Sequence, residues 1–380
     1  MADRIKWVAH PGVQMHAFAG SAGATSSSRR VLLVLLTSVL AVGLAAGYGT
    51  RPAQAADTDT RGLFGSQDPT YDGVYRQSYA LMGLAAADIT APPTALQWLL
   101  DQQCADGAFI AYRADLDVPC PAPDPQAYTG PDTNSTSLAI LALIEHGRLA
   151  AAKRAVAWLT RIQLPGGGWG YVEGSPADSV STSLALEALD AVPGTERDQR
   201  AATRWLARQI APCGAPDAEK YGVRYQPGSL PDGISSTQAL LGLGDAFPVT
   251  PTTQRKAAPR VACNAQGKPD NPTSAVTRWI SSTLTANDGS IPDPFTPGQA
   301  DWNSTALGVV GLAATRTSGR ATQLAMQALE ANAADYVFDG TADRPAALGT
   351  LLLATLSTGA NPEDFGGIDL PERLLATLQK

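Results

Sequence analysis

The chain has 380 residues, 35 acidic against 28 basic side chains, and a formal net charge of −7. That balance gives neither the basic footprint of a nucleic-acid binder nor the polybasic surface of a protein held on anionic lipid, and the length admits one large domain or two small ones. His146 is the only histidine beyond residue 55, which excludes a zinc site built on several imidazoles and leaves any serine-type triad dependent on one ring.

In chain order, residues 1–55 read as a secretory leader. Arg29-Arg30 precede an apolar run of 18 residues, Val31 to Tyr48, and Ala53 and Ala55 place small side chains where a signal peptidase reads. Ser28-Arg29-Arg30 is similar to a twin-arginine export signal. An uncleaved membrane anchor over 31–48 is the competing reading, since about 20 apolar residues span a bilayer. Cleavage after Ala55 is the reading adopted. It predicts a secreted, extracellular protein with a flexible segment over 56–70 and one folded domain over 71–380.

Within that domain one stretch is written four times. It begins Asp132-Thr-Asn134-Ser135-Thr, Asp178-Ser-Val-Ser-Thr, Asp232-Gly-Ile-Ser-Ser and Asp301-Trp302-Asn303-Ser-Thr, and in each copy a Leu stands eleven residues after the Asp. Repetition at spacings of tens of residues signals a repeat architecture. Asp, Ser and Thr ahead of an apolar run are N-cap residues, so these are four helix starts.

A second pattern alternates with the first and carries Trp98, Trp158, Trp205 and Trp279. Around Trp205, Arg197, Arg200, Arg204 and Arg208 recur at three- and four-residue steps and leave Ala202, Leu206 and Gln209 on the other face. Such a helix is half exposed, whereas Ser137 to Ile144 is apolar almost all round and predicts burial on both sides. Inner helices are expected over 76–88, 133–146, 179–190, 233–246, 302–315 and 344–357. Outer helices are expected over 93–103, 149–163, 196–210, 272–285, 319–334 and 370–379. An open array would leave the inner helices wet on one face, so the pattern predicts an all-α, closed (α/α)6 toroid of six hairpins. Its Gly/Pro-rich connections 107–131, 164–177, 211–232 and 286–300 should gather above the inner-helix N-termini, where loops on a rigid scaffold carry function.

Cys104, Cys120, Cys213 and Cys263 suit an oxidising compartment and two disulfides. Three pairings are open; Cys104 with Cys120 is the favoured local bridge, which leaves Cys213 with Cys263. His146 precedes Gly147 at the end of an apolar helix, where an imidazole can bond the last carbonyls.

Gln103-Cys-Ala-Asp-Gly107-Ala-Phe109, Gln163-Leu-Pro-Gly-Gly167-Gly-Trp169 and the degenerate Asn287-Asp-Gly289-Ser-Ile291 follow Trp-bearing helices. They resemble the Gln-x-x-x-Gly-x-Trp/Phe motif of the prenyltransferase/squalene-cyclase repeat superfamily, and with the Asp-headed starts the resemblance covers 70–380. It implies a toroid whose ligand cavity opens at the inner-helix N-termini. Terpene cyclases, protein prenyltransferase β subunits, complement thioester domains and cobalamin carriers share that architecture.

Their catalytic residues do not carry over. The Asp-x-Asp-Asp motif of class II terpene cyclases is matched by Asp132-Thr-Asn134-Ser135, and neither an amide nor a hydroxyl is acidic enough to replace its middle acid. The Asp, Cys and His zinc ligands of prenyltransferases and the Gly-Cys-Gly-Glu-Gln stretch of thioester domains have no counterpart. No catalytic residue, metal or cofactor is therefore assigned. The leading expectation is a secreted toroid that binds a small or medium-sized ligand, cobalamin-like or isoprenoid, without catalysis. Its candidate ligand-binding residues are Tyr75, Tyr79, Asp132, Asn134, Trp169, Tyr171, Asp178, Tyr225, Asp232, Asp301, Trp302 and Asn303. The first alternative is an enzyme, carbohydrate-active or terpene-cyclase-like, that uses the rim aspartates. The second is a cell-surface interaction protein. Neither nucleic acid nor, once the leader is removed, membrane is an expected partner.

Overall fold

The computed structural model describes residues 60–380 apart from 254, 255 and 318. The expected leader, the alternative anchor over 31–48 and the start of the 56–70 segment lie outside the described residues. Among the described residues no helix is long and apolar enough to cross a membrane.

The helices are α1 (Gly73–Ala86), α2 (Pro93–Asp101), α3 (Thr133–Glu145), α4 (Leu149–Arg161), α5 (Ser179–Asp190), α6 (Glu196–Gln209), α7 (Gly233–Gly244) and α8 (Pro272–Ala286). After a short ladder of β1 (Ile291–Pro292) and β2 (Ala300–Asp301) come α9 (Trp302–Ala314), α10 (Gly319–Ala331), α11 (Ala333–Val337), α12 (Pro345–Thr358) and α13 (Leu370–Ala376). The helices α1, α3, α5, α7, α9 and α12 each pack on the next, and α12 packs back onto α1, so the inner ring closes. Outside it, α2, α4, α6, α8, α10 and α13 each pack on the inner helix that precedes them.

Composition explains the two layers. From Ser135 to Leu143 every residue of α3 is buried, and only small or aliphatic side chains fit between neighbours on both sides. A Cβ on Gly349 of α12 would lie 2.4 Å from the Tyr79 carbonyl oxygen of α1, so glycine sets how closely these two helices meet. In α6, Ala202, Trp205, Leu206 and Gln209 are buried while the four arginines stand in solvent.

The two repeated motifs are halves of one lock. The Asp132 N–H donates to the Phe109 carbonyl at 2.9 Å, and the Phe109 N–H donates to Thr136 Oγ1 at 2.9 Å. One repeat later the Asp178 N–H donates to the Trp169 carbonyl at 2.9 Å, and the Trp169 N–H to Thr182 Oγ1 at 3.0 Å. Val223 repeats the arrangement with Asp232 and Ser236, at 3.1 and 2.8 Å. Ile291 pairs with Asp301 across the β ladder, and its N–H donates to Thr305 Oγ1 at 2.9 Å. Gln163 Nε2 ties the Gly167 carbonyl and the Asp198 carbonyl, at 2.9 and 3.0 Å. Gly167 itself has φ +93°, and a Cβ there would sit 2.5 Å from the Ala201 carbonyl oxygen of α6. Each motif thus fastens a loop both to its own inner helix and to the next outer one.

Several boundaries differ from expectation. The first inner helix starts at Gly73, earlier than 76. The outer helix expected over 319–334 breaks at Asn332, whose backbone leaves helical geometry, and α11 follows as a separate turn. The final helix is shorter than 370–379. Both disulfides form, Cys104–Cys120 and Cys213–Cys263, with Cα separations of 5.7 and 6.3 Å. His146 does occupy the C-cap of α3, but its Nε2 bonds the Leu81 carbonyl of α1 at 3.0 Å, not a carbonyl of its own last turn.

Thr136→Val or Thr182→Val keeps the side-chain shape and leaves the Phe109 or Trp169 N–H buried without an acceptor. Each should lower the unfolding free energy by roughly 1–3 kcal/mol, and the two effects should add because the sites share no partner. Urea denaturation measures both; a neutral pair would mean that the lock carries no stability.

Candidate functional site

The inner-helix N-termini bring the four capping aspartates to one end of the toroid. Each carboxylate accepts the backbone N–H three residues on: Ser135 on Asp132 at 2.7 Å, Ser181 on Asp178 at 2.8 Å, Ser235 on Asp232 at 2.7 Å and Ser304 on Asp301 at 2.9 Å. In three copies the same serine's hydroxyl donates to the second oxygen, at 2.9 Å for Asp178, 2.8 Å for Asp232 and 2.5 Å for Asp301. Asp132 departs from the pattern. The Ser135 hydroxyl lies near it but makes no bond to Oδ2, which is buried and has no hydrogen-bond partner among the described residues. Two residues on, Asn134 Oδ1 is also buried and unpartnered.

Loops of the following repeat deliver tyrosines onto these caps. Thr133 donates its N–H to the Tyr171 carbonyl at 2.7 Å and its hydroxyl to the Gly170 carbonyl at 2.7 Å. Ser179 does the same to Tyr225 and Arg224, at 2.9 and 2.6 Å. Tyr171 therefore stands beside Asp132, whose charge is the first cause of its raised pKa, and Tyr225 stands beside Asp178. Burial pushes the carboxyls of Asp132 and Asp178 up to about 7, against the downward pull of the bonds from Ser135 and Ser181. Burial likewise raises Asp232 and Asp301.

On the far side of the ring, Asn303 gathers a second group. Its Nδ2 donates to Tyr75 Oη at 3.4 Å, and Tyr336 Oη donates to its Oδ1 at 3.2 Å. The Tyr75 ring lies 4.9 Å from that of Tyr79, centroid to centroid. Trp302 is half-buried against the core. Trp169 is a correction: it is fully buried, its Nε1 donates to the Leu159 carbonyl at 2.8 Å, and it packs in the core away from the mouth.

Two residues of this region were missed by the sequence reading. Tyr336 sits on the unexpected α11. Glu187 lies within the apolar stretch Leu184-Ala-Leu-Glu187-Ala-Leu189, an anomaly that was legible. It is 4% exposed; Oε1 accepts from Gln238 Nε2 at 2.7 Å and Oε2 has no partner among the described residues. Burial raises its carboxyl well above the ordinary value, and its charge reaches Tyr79 of α1 across the ring.

Two concave features lie elsewhere. A cavity of about 240 Å³ at the other end of α5 and α7 is lined by Asp190, Gln199, Arg200, Asp245 and Thr273. An outer groove of about 530 Å³ runs between α8 and α10. In the first, Gln199 Nε2 and Thr273 Oγ1 are already bonded to the Leu189 and Leu243 carbonyls. The carboxyl oxygens without a partner among the described residues, Asp132 Oδ2 and Glu187 Oε2, belong instead to the inner ring. Among the described residues no three His, Cys, Asp or Glu side chains are placed to share a metal ion.

Asp132 and Asp178 both titrate above their ordinary 3.8 in the folded state. Between about pH 4 and about pH 7 the folded protein thus retains protons that the unfolded chain has released, and these two groups lower stability as the pH rises through that window. Asparagine keeps a capping oxygen but does not titrate. The double variant D132N/D178N should therefore lose stability less steeply than the wild type over the same window, as read by thermal unfolding. Equal slopes would contradict the burial of these carboxyls.

No family model matches the chain, and no curated sequence does. Solved structures are similar in fold. The ent-copalyl diphosphate synthase from Streptomyces platensis aligns over 76% of this chain with a TM-score of 0.50 and 19% identity; this chain spans 51% of that one. The type II terpene cyclase MstE from Scytonema, without ligand, aligns over 77% of this chain and 91% of its own, with a TM-score of 0.46 and 12% identity. A wild-type glycosidase aligns over 80% and 93%, with a TM-score of 0.47 and 14% identity. Likeness at these identities concerns the backbone path and not the chemistry. The chain has an all-α, α/α-toroid fold, similar in backbone path to that of the ent-copalyl diphosphate synthase.

Proposed function

We propose that the protein is a secreted, non-catalytic binder of a small or medium-sized ligand, held in the mouth at the inner-helix N-termini. The observation that carries this reading is the pair of buried acceptors, Asp132 Oδ2 and Asn134 Oδ1, that have no partner among the described residues and lie beside Tyr171. A buried acceptor left without a donor costs about 1–3 kcal/mol, and a ligand with N–H or O–H groups removes that cost. Tyr75, Tyr171, Tyr225 and Trp302 add half-buried aromatic surface, and a mostly apolar pocket with a few placed polar groups is the usual form of such sites. Of the two ligand classes expected from sequence, an isoprenoid chain brings no N–H donor to these oxygens. A cobalamin-like ligand would bring amide N–H donors, and the mouth suits it better.

The absence of catalysis is supported by what the rim aspartates already do. Asp178, Asp232 and Asp301 each have both carboxylate oxygens bonded to the serine of their own cap. Asn134 stands where a cyclase-like site needs its acid. One observation favours the enzyme reading: Asp132 and Asp178 are held at about 7, the range in which a carboxyl exchanges protons near neutrality. Export rests on the leader-like first 55 residues and on the two disulfides, which suit an oxidising compartment.

Thermal-shift screening against a corrinoid, an isoprenoid alcohol and an oligosaccharide, each followed by product analysis, separates binder from enzyme. The expected result is a shift without turnover; a ligand that is converted replaces the binding reading with the enzymatic one. Asp132→Ala should cost about 1 kcal/mol as a lost cap and also shrink the ligand-induced shift. N-terminal sequencing of the exported protein should begin at Ala56, whereas retention of 31–48 would mean an anchored form.

A further inference from the structure

The connection between α2 and α3 carries a short run that takes no part in the mouth. Asp115, Leu116, Asp117 and Val118 are all exposed, and Leu116 and Val118 keep 48% and 56% of their surface in solvent. Two large aliphatic side chains within three residues exceed the scattered exposure of an ordinary surface. The backbone beneath them is nevertheless held firmly. Arg113 donates to the Leu116 and Val118 carbonyls at 2.8 and 3.1 Å. The same guanidinium donates to the Asp101 and Gln103 carbonyls at 3.0 and 3.2 Å, which ties the run to the end of α2. The Asp117 N–H donates to Asp115 Oδ1 at 2.9 Å, and the Cys104–Cys120 disulfide closes the loop around them. A rigid display of apolar and acidic side chains lowers the ordering cost of binding, which marks the run as a tab built to enter a partner.

The same chain carries a receptacle of matching character. The groove between α8 and α10 has about 530 Å³, within the ~300–1,000 Å³ of pockets that take drug-sized molecules and ample for two aliphatic side chains. Ala257, Ala258, Ala286 and Ala321 line it. The hydroxyls of Ser281 and Thr285 bond the Thr277 and Ser281 carbonyls of their own helix, at 2.6 and 2.7 Å, so the lining is largely apolar. Arg278 and Arg320 stand among the lining residues, both exposed and neither in an ion pair among the described residues. The tab leaves the ring between the first and second repeats, and the groove lies between the fourth and fifth, half the circle away. A tab therefore cannot reach the groove of its own chain.

We infer that the Asp115–Val118 tab of one copy docks in the α8–α10 groove of a second, Leu116 and Val118 against the alanines and Asp115 and Asp117 against Arg278 and Arg320. Such a contact is heterologous: it leaves a free tab at one end and a free groove at the other, so copies add in a row. It involves neither Asp132 nor Tyr171, and its failure leaves the ligand-binding reading intact. Sedimentation velocity over a concentration series tests it. The protein should associate reversibly and in steps beyond the dimer, and added salt should weaken the association because all four charged side chains are exposed. Leu116→Ser/Val118→Ser and, separately, Ser282→Trp at an exposed position of the groove should each raise the dissociation constant about tenfold or more. Mixed together, the two variants should form a one-to-one dimer that grows no further, since one supplies an intact tab and the other an intact groove; that pairing also shows both to be folded. A monomer at every concentration, association that persists in either variant alone, or a mixture that stays monomeric overturns the inference.

Discussion

The structure depends on a reciprocal pair of hydrogen bonds repeated around the ring. A loop residue gives its N–H to a hydroxyl in the second turn of an inner helix and receives the N–H of the aspartate that caps that helix. Phe109 does so with Thr136 and Asp132, and Trp169 with Thr182 and Asp178. The bonds satisfy backbone groups that a loop entering the core would otherwise bury unpaired. They also fix the loop's path so that its next aromatic, Tyr171 or Tyr225, lands on the preceding cap. Architecture and mouth are built by the same contacts.

That economy sets the chemistry available at the rim. A capping aspartate is normally exposed and ionised. Here closure of the ring and docking of the following loop bury it, so the carboxyl is both bonded by N–H groups and desolvated, and desolvation wins for Asp132 and Asp178. Three copies place the serine hydroxyl on the second oxygen. In the Asp132 copy that bond is missing and an asparagine follows two residues later. The same register that makes Asp178, Asp232 and Asp301 structural singles out Asp132 and Asn134 as the positions with bonding capacity left over.

Much of this was legible in the sequence, because caps, helix periodicity and repetition are local signals. The Asp-headed starts, the alternation of buried and half-exposed helices and the Cys104–Cys120 bridge follow from residues near one another in the chain, and Cys213 with Cys263 is the pair that bridge leaves. The lock was written in the sequence but not readable as a lock, since its two halves lie some 27 residues apart in the Phe109–Thr136 case. The third copy, at Val223, was hidden for a different reason. An insertion over 212–220 separates Ala211 from Tyr221, whose φ of +75° occupies the left-handed position that Gly107 and Gly167 fill elsewhere. Trp169 holds the same position as Phe109, Val223 and Ile291, all fully buried, so its placement at the mouth ignored the direction that the Thr182 bond imposes. Glu187 was an ionisable residue in an apolar helix and was passed over because it matched no motif.

The central claim is that Asp132 is a buried carboxyl with an oxygen reserved for a ligand. Carbon-13 NMR titration of its side-chain carboxyl, assigned by comparison with Asp132→Asn, tests this directly. The account predicts a midpoint near 7 in the unliganded protein and a downward displacement when a ligand that donates to the carboxylate is bound. A midpoint near 4, the ordinary value for an exposed aspartate, would contradict it.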